Sequence, residues 1–289
     1  MQIKPSPSAK NELLGVYARA MQESMIIEKT DLARLYNLRC SGLPYCPTKV
    51  LLNYGRKGLY TPINMGMSFY IGVGHAVHHT MQTYLSQSGQ FMADYECKEC
   101  GKKYPLSLQH ECCGFPTSYE EVTLDIGKRK YLRVQGHIDA IFKTRKGKIY
   151  IVDFKTTSLK SIESAAKKPA LGYMRQVRAY AYLLWKQYGV KVDGVMLMFI
   201  PRDNPLEPKV WELAIEGDTA ELGEELLVDR KLHRRTMQAT TVEEMMALSK
   251  AKCGSYYCEA CKKPSKELRG LFTRFVKTKN KFPILEENL

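Results

Sequence analysis

Residues Gly136 to Ser158 read GHIDAIFKTRKGKIYIVDFKTTS. The alternation of apolar and polar side chains predicts two short strands joined by a tight basic turn. Ile138, Ala140 and Phe142 alternate along the first strand, Arg145 to Lys148 supply the turn, and Ile149 to Phe154 form the second. Asp153 and Lys155 lie two residues apart on a strand, so they share a face. Pairing of the two strands brings Asp139 beside them. Two carboxylates and an ammonium gathered at one spot form a divalent-metal site with a cationic helper, equipment suited to cutting a phosphodiester. Alone, Asp153 and Lys155 would be an exposed ion pair of little energetic worth.

Working outward, residues 171–188 give the clearest helix, with Leu171, Met174, Val177, Ala181, Leu184 and Trp185 as its apolar stripe. Gln176 and Tyr180 lie four apart and therefore stack on a neighbouring face. A helix over 71–85 carries Gly74-His75-Ala76-Val77-His78. Near-helical spacing also marks residues 11–38, and Cys46-Pro47 opens a further helix, proline being suited to a first turn. Strands are expected near 120–126, 131–143, 148–156, 193–200 and 208–215, with a long charged helix after Asp218.

Taken in order, GHID, the Asp153-Phe154-Lys155 triplet and the helix with Gln176-x3-Tyr180 resemble the PD-(D/E)XK nucleases, specifically their RecB-type exonuclease branch. Gly74-x3-His78 fits that branch's G-x-x-x-H motif, which selects His78 over His75 and His79. The resemblance spans residues 40–261. It implies an α/β fold, a restriction-endonuclease-like core with a mixed central sheet flanked by helices. It further implies that Asp139 and Asp153 hold one Mg²⁺ or Mn²⁺, with the Phe154 carbonyl and His78 as further ligands. Lys155 would then orient the attacking water or offset phosphoryl charge. Gln176 and Tyr180 would brace the site or contact the DNA backbone; the alternative for Tyr180 is a plain core position. The implied activity is metal-dependent cleavage of DNA, probed first as exonucleolytic action in recombination, repair or phage DNA processing. A CRISPR-adaptation-type nuclease that trims DNA is the alternative within the enzymes. A catalytically silent DNA-binding subunit on the same fold is the alternative outside them.

The chain has 289 residues, 44% of them apolar, and a net charge of +14. That balance favours a polyanionic partner through counterion release, here DNA with single-stranded ends. A helicase or recombination partner and an oligomer are compatible with the resemblance. No apolar run is long enough to span a bilayer and the first residues lack a signal-peptide core, so a cytoplasmic, reducing setting is expected. No G-x-x-x-x-G-K-[ST] motor motif occurs.

Nine cysteines in a reducing setting point to metal ligation. Cys253, Cys258 and Cys261 form C-x4-C-x2-C, and Cys46 stands far upstream. One early cysteine plus a late trio resembles the iron–sulfur arrangement of AddB-type and CRISPR-adaptation nucleases, which implies a [4Fe–4S] cluster. The close pair comes last here, whereas those families place it first. Cys40 rivals Cys46, and a structural Zn²⁺ on the same four thiolates is the alternative. Separately, Cys97-x2-Cys100-Gly101 reads as a zinc knuckle, and His110-x2-Cys113-Gly114 has the same shape, giving a second Zn²⁺ site in which Cys112 competes as ligand.

These features divide the chain into a helical region 1–94, a small zinc-binding insertion 95–117, a nuclease core 118–216 and a helical region 217–289. The insertion is expected to flank the DNA entrance. Lys262 to Lys281 hold eight Lys/Arg and one Glu among Leu271, Phe272, Phe275 and Val276. That mixture suits single-stranded DNA or, equally, an amphipathic helix docked by its apolar side.

Overall fold

Asp139 marks the point where the chain passes from one sheet to another. The computed structural model describes residues 38–43, 46–48, 65–127, 133–165, 171–204, 207–215, 219–250 and 266–280. The helices expected within 11–37 and the trio Cys253, Cys258 and Cys261 lie outside the described residues.

The strands are β1 (Leu38–Arg39), β2 (Phe91–Glu96), β3 (Lys103–Leu108), β4 (Glu111–Cys112), β5 (Phe115–Pro116), β6 (Ser118–Glu120), β7 (Val122–Ile126), β8 (Val134–Ile138), β9 (Ala140–Lys143), β10 (Ile149–Thr157), β11 (Gly194–Pro201) and β12 (Lys209–Ala214). The helices are α1 (Met65–Ser86), α2 (Leu159–Ala165), α3 (Leu171–Tyr188), α4 (Thr219–Gln238), α5 (Val242–Lys250) and α6 (Lys266–Asn280). The larger sheet runs β12-β11-β10-β9-β2-β3, with β6 also paired to β2; the smaller runs β1-β8-β7. In the larger sheet β10 and β11 are parallel and the other pairs antiparallel. The architecture is the expected mixed α/β core.

The single strand expected over 131–143 is broken. Val134–Ile138 pair with β7 and β1 in the smaller sheet, whereas Ala140–Lys143 pair with β10 and β2 in the larger. The run from Ser118 to Ile126 breaks in the same way at Glu121, with β6 on β2 and β7 on β8. Along β2, the pairs Phe91–Phe142 and Met92–Ile141 give way to Asp94–Glu120, Tyr95–Tyr119 and Glu96–Ser118. Strands β9 and β6 therefore lie end to end in one lane, and Asp139 and Glu121 sit where that lane changes hands.

Helices cover both faces of the larger sheet. Ile141, Ile151, Val195 and Leu197 are buried together with Val177, Ala181 and Leu184 of α3. Ala140, Val152, Phe154 and Ile200 are buried on the other side, where the partly buried Val77, Met81 and Leu85 of α1 pack against them. This two-sided burial is why β10 reads as a near-continuous apolar run rather than a strict alternation. Burying each large aliphatic side chain contributes about 1.5–3 kcal/mol. Helix α3 matches its predicted span and ends at Gly189, whose φ of 71° permits the N–H bond to the Trp185 carbonyl at 2.8 Å. No helix among the described residues is long and apolar enough to cross a membrane.

Candidate active site

The antiparallel register of β9 and β10 ends with Ala140 opposite Val152. One residue further, Asp139 meets the level of Asp153. The Asp139 Oδ2 accepts the Phe154 N–H at 2.8 Å, which fixes its carboxylate against β10. Its Oδ1 lies 3.6 Å from His78 Nδ1, delivered by α1 from the opposite helix layer. His78 stacks edge-on against Phe154, with ring centres 5.6 Å apart.

Asp153 shares its face of β10 with Ile151, toward α3. Its side chain is 3% exposed, so its charge depends on its neighbours. Gln176 Nε2 donates to Asp153 Oδ1 at 3.2 Å and to the Tyr180 hydroxyl at 2.9 Å. Asp153 Oδ2 lies 2.5 Å from the Lys155 ammonium yet makes no aligned hydrogen bond. Lys155 also sits 5.1 Å over the Tyr173 ring. Tyr180 is buried against Gly136, where an added Cβ would fall 2.5 Å from Tyr180 Cε1 and 3.2 Å from Cys40 Sγ. These groups open onto a cavity of about 200 Å³ lined by His78, Asp139, Asp153, Lys155, Gln176 and Tyr180, and also by Arg39, Ser41, Gln135, Gly136 and His137. The cavity thus brings Asp139, Asp153, Lys155, Gln176 and Tyr180 together, with His78 beside them.

Burial is the largest influence on Asp153; the Lys155 ammonium opposes it and the Asp139 carboxylate reinforces it, leaving the carboxyl pushed up to about 6. Burial opposes protonation of His78, but Asp139 beside it outweighs that and raises its pKa. Burial likewise opposes the Lys155 charge, and Asp153 more than restores it. Tyr180 is held well above the ordinary phenol range, chiefly by burial.

The groups that hold the Asp139 main chain lie outside the set expected from the sequence. Gln82 Nε2 donates to the Asp139 carbonyl at 3.0 Å and to Glu121 Oε1 at 3.0 Å, and the Tyr119 hydroxyl donates to the same Asp139 carbonyl. Gln82 follows His78 by four residues, so one face of α1 supplies both. That spacing is the signal from which Gln82 could have been found.

A second cluster lies beyond β2. Cys97, Cys100, Cys112 and Cys113 bring their sulfurs within 4.8 Å of one another. The Cys97 thiol is lowered to about 7, chiefly by the backbone N–H of Cys100. Tyr104 donates to Cys112 Sγ at 3.1 Å. The expected ligand His110 stands outside this group: its Nδ1 is 3.1 Å from the Leu108 carbonyl, and Cys112 takes its place. The reason is local. The β4–β5 hairpin opposes Cys112 to Phe115 and turns through Cys113 (φ 55°) and Gly114 (φ 81°), which delivers two consecutive cysteines to the Cys97 knuckle.

Cys40 is fully buried beside Gly136 and Tyr180. Cys46 is buried two residues before Thr48, which bonds Ser249 Oγ through its N–H at 3.1 Å and its hydroxyl at 2.7 Å, and donates to the Met245 carbonyl. Helix α6 buries Phe272 and Phe275, and its Arg269 pairs with Glu243 of α5 at 2.7 Å, so its apolar side is docked.

The family model for the PD-(D/E)XK nuclease superfamily matches residues 104–262. A solved structure titled "Crystal structure of SSO0001" is similar at 14% identity, covering 74% of this chain and 82% of that one, with a TM-score of 0.42. No curated protein sequence matches.

Proposed function

Because the chain belongs to the PD-(D/E)XK nuclease superfamily, we propose that it is a Mg²⁺- or Mn²⁺-dependent deoxyribonuclease. We assign it exonucleolytic action on DNA with single-stranded ends, in recombination, repair or phage DNA processing. The observation that carries this reading is the convergence of Asp139 and Asp153 from adjoining strands, with Lys155 2.5 Å from Asp153.

The donor set fits a hard divalent cation. Two carboxylates share the cavity, and the buried Asp153 Oδ2 has no aligned hydrogen bond to a protein donor. Asp139 and Asp153 would hold the ion, with His78 and the Phe154 carbonyl completing the protein's share. When bound, such an ion supplies Lewis-acid polarisation of the phosphoryl group and acidifies water. Gln176 keeps the Asp153 carboxylate in place. The Phe154 N–H does the same for Asp139. Lys155 places a positive charge where phosphoryl oxygens gain negative charge.

The four clustered cysteines of the β2–β5 region support a structural Zn²⁺. The bonds from Thr48 to Ser249 support Cys46 as a partner of the later trio, since Ser249 precedes Cys253 by four residues. We assign that set to a [4Fe–4S] cluster; brown, broadly absorbing protein after anaerobic purification supports it, and colourless zinc-loaded protein replaces it with Zn²⁺.

A Mg²⁺-dependent assay on labelled single- and double-stranded DNA tests the main reading. Cleavage by the wild type, lost on Asp153→Ala with DNA binding retained, is expected. Equal cleavage by the variant, or none by the wild type, overturns it and favours a silent DNA-binding scaffold.

A further inference from the structure

Two cations reach the cavity from different sheets. Lys155 comes from β10 and already has protein partners, Asp153 and the Tyr173 ring. Arg39 comes from β1, opposite Gln135 of β8. Its Nε is buried with no hydrogen-bond partner among the described residues. A buried donor without a partner is unfavourable, and more so when charged. Guanidinium keeps its charge at any working pH, and its planar fork matches a phosphate. Ser41, exposed in the turn after β1, and His137, exposed on β8, line the same wall.

The cavity is smaller than the roughly 300–1,000 Å³ usual for whole small-molecule ligands. It suits a phosphodiester group better than a nucleoside. Asp139, Asp153 and Lys155 account for the phosphate that is cut, while Arg39 approaches from the edge of the other sheet.

We infer that Arg39, helped by Ser41, grips the phosphate adjoining the scissile one and so sets the register of the strand in the site. This rests on the nuclease reading and names a substrate contact beyond its carboxylates and lysine. Removing the fork weakens strand binding, whereas the carboxylates and Lys155 keep their places.

The test uses the full-length protein with Ca²⁺, which permits binding to be followed without cleavage, and oligonucleotides carrying one neutral methylphosphonate at successive linkages. Binding is read by fluorescence anisotropy for wild type, Arg39→Gln, Arg39→Lys and Ser41→Ala. Arg39→Gln is expected to weaken binding of the unmodified strand about tenfold, the loss of one charge-assisted phosphate contact. One methylphosphonate position should weaken wild type by a similar factor and Arg39→Gln no further, with Arg39→Lys intermediate. With Mg²⁺, KM should rise more than kcat falls.

If Arg39→Gln loses as much as wild type at every modified linkage, the assignment is overturned. If Arg39→Gln unfolds, Arg39→Lys carries the same comparison, and full wild-type sensitivity at every linkage in that variant overturns the assignment equally. Because the scan reads binding alone, a wild type that binds with the predicted pattern but never cleaves sinks the nuclease reading and leaves the contact standing.

Discussion

The side-chain amide of Gln82 holds the main-chain carbonyl of Asp139 at 3.0 Å, at the residue where β8 leaves one sheet and β9 joins the other. The same amide holds Glu121, where β6 gives way to β7. One side chain of α1 therefore fastens both interruptions.

Gln82→Met removes that fastening while keeping the length of the side chain. Loss of an outer partner of a metal-holding residue reduces affinity or activity by roughly 10–100-fold. Mn²⁺ affinity and the Mg²⁺-activated cleavage rate should both fall within that range, with His78 still in place. An unchanged rate would show that Tyr119 alone positions the Asp139 carbonyl.

Gly136→Ala places a methyl 2.5 Å from Tyr180 and 3.2 Å from Cys40. Both neighbours are buried, so neither can swing into solvent. Overpacking of this kind costs about 1–3 kcal/mol. Denaturant titration should show that loss, together with reduced cleavage as Tyr180 and its partner Gln176 shift.

Asp153 has a carboxyl raised to about 6. Below that pH it holds a proton that a divalent ion must displace. Mn²⁺ affinity should therefore drop progressively as pH falls from about 6 toward 5, by up to about tenfold per pH unit, and level off above pH 7. Calorimetry in two buffers of different ionisation heat should register proton release on binding near pH 5.5 and little at pH 7.5. Flat affinity across this window would contradict a raised Asp153 pKa.

Zinc content separates the sulfur cluster from the ligand set expected by spacing. Purified wild type should carry one Zn²⁺ in the hairpin, lost in Cys97→Ser and in Cys112→Ser. His110→Ala should keep it. Elemental analysis that finds zinc lost with His110 and kept without Cys112 would restore the histidine set.

The parts of this fold that were legible in the sequence are those with long or doubled signals. Helix α3 has five turns of consistent apolar spacing, and β10 carries its charged pair inside an apolar run, so the span and facing of both follow from the residues. Strand β2 was not anticipated. Its inward residues are Phe91, Ala93 and Tyr95, and a small alanine between two aromatics leaves a weak alternation just before the cysteines. The break at Asp139 was invisible because each half of the strand keeps its own alternation. Only pairing partners distant in sequence assign the two halves to different sheets. Replacement of His110 by Cys112 depended on a positive φ at Cys113, a residue type that does not advertise that conformation.

The cysteine-bearing hairpin grows from β2 and β3, and β2 is bonded directly to the strand that begins at Ala140. It is therefore no detachable ornament. Excising residues 95–117 as a unit would strip two of β6's three partner residues and all of β3 from the sheet edge and unmoor the carboxylate next to them. A narrower splice between Glu96 and Lys103 would leave the paired residues of β2, β3 and β6 in the chain but remove Cys97 and Cys100, and would show what the sulfur cluster contributes separately from the cutting centre.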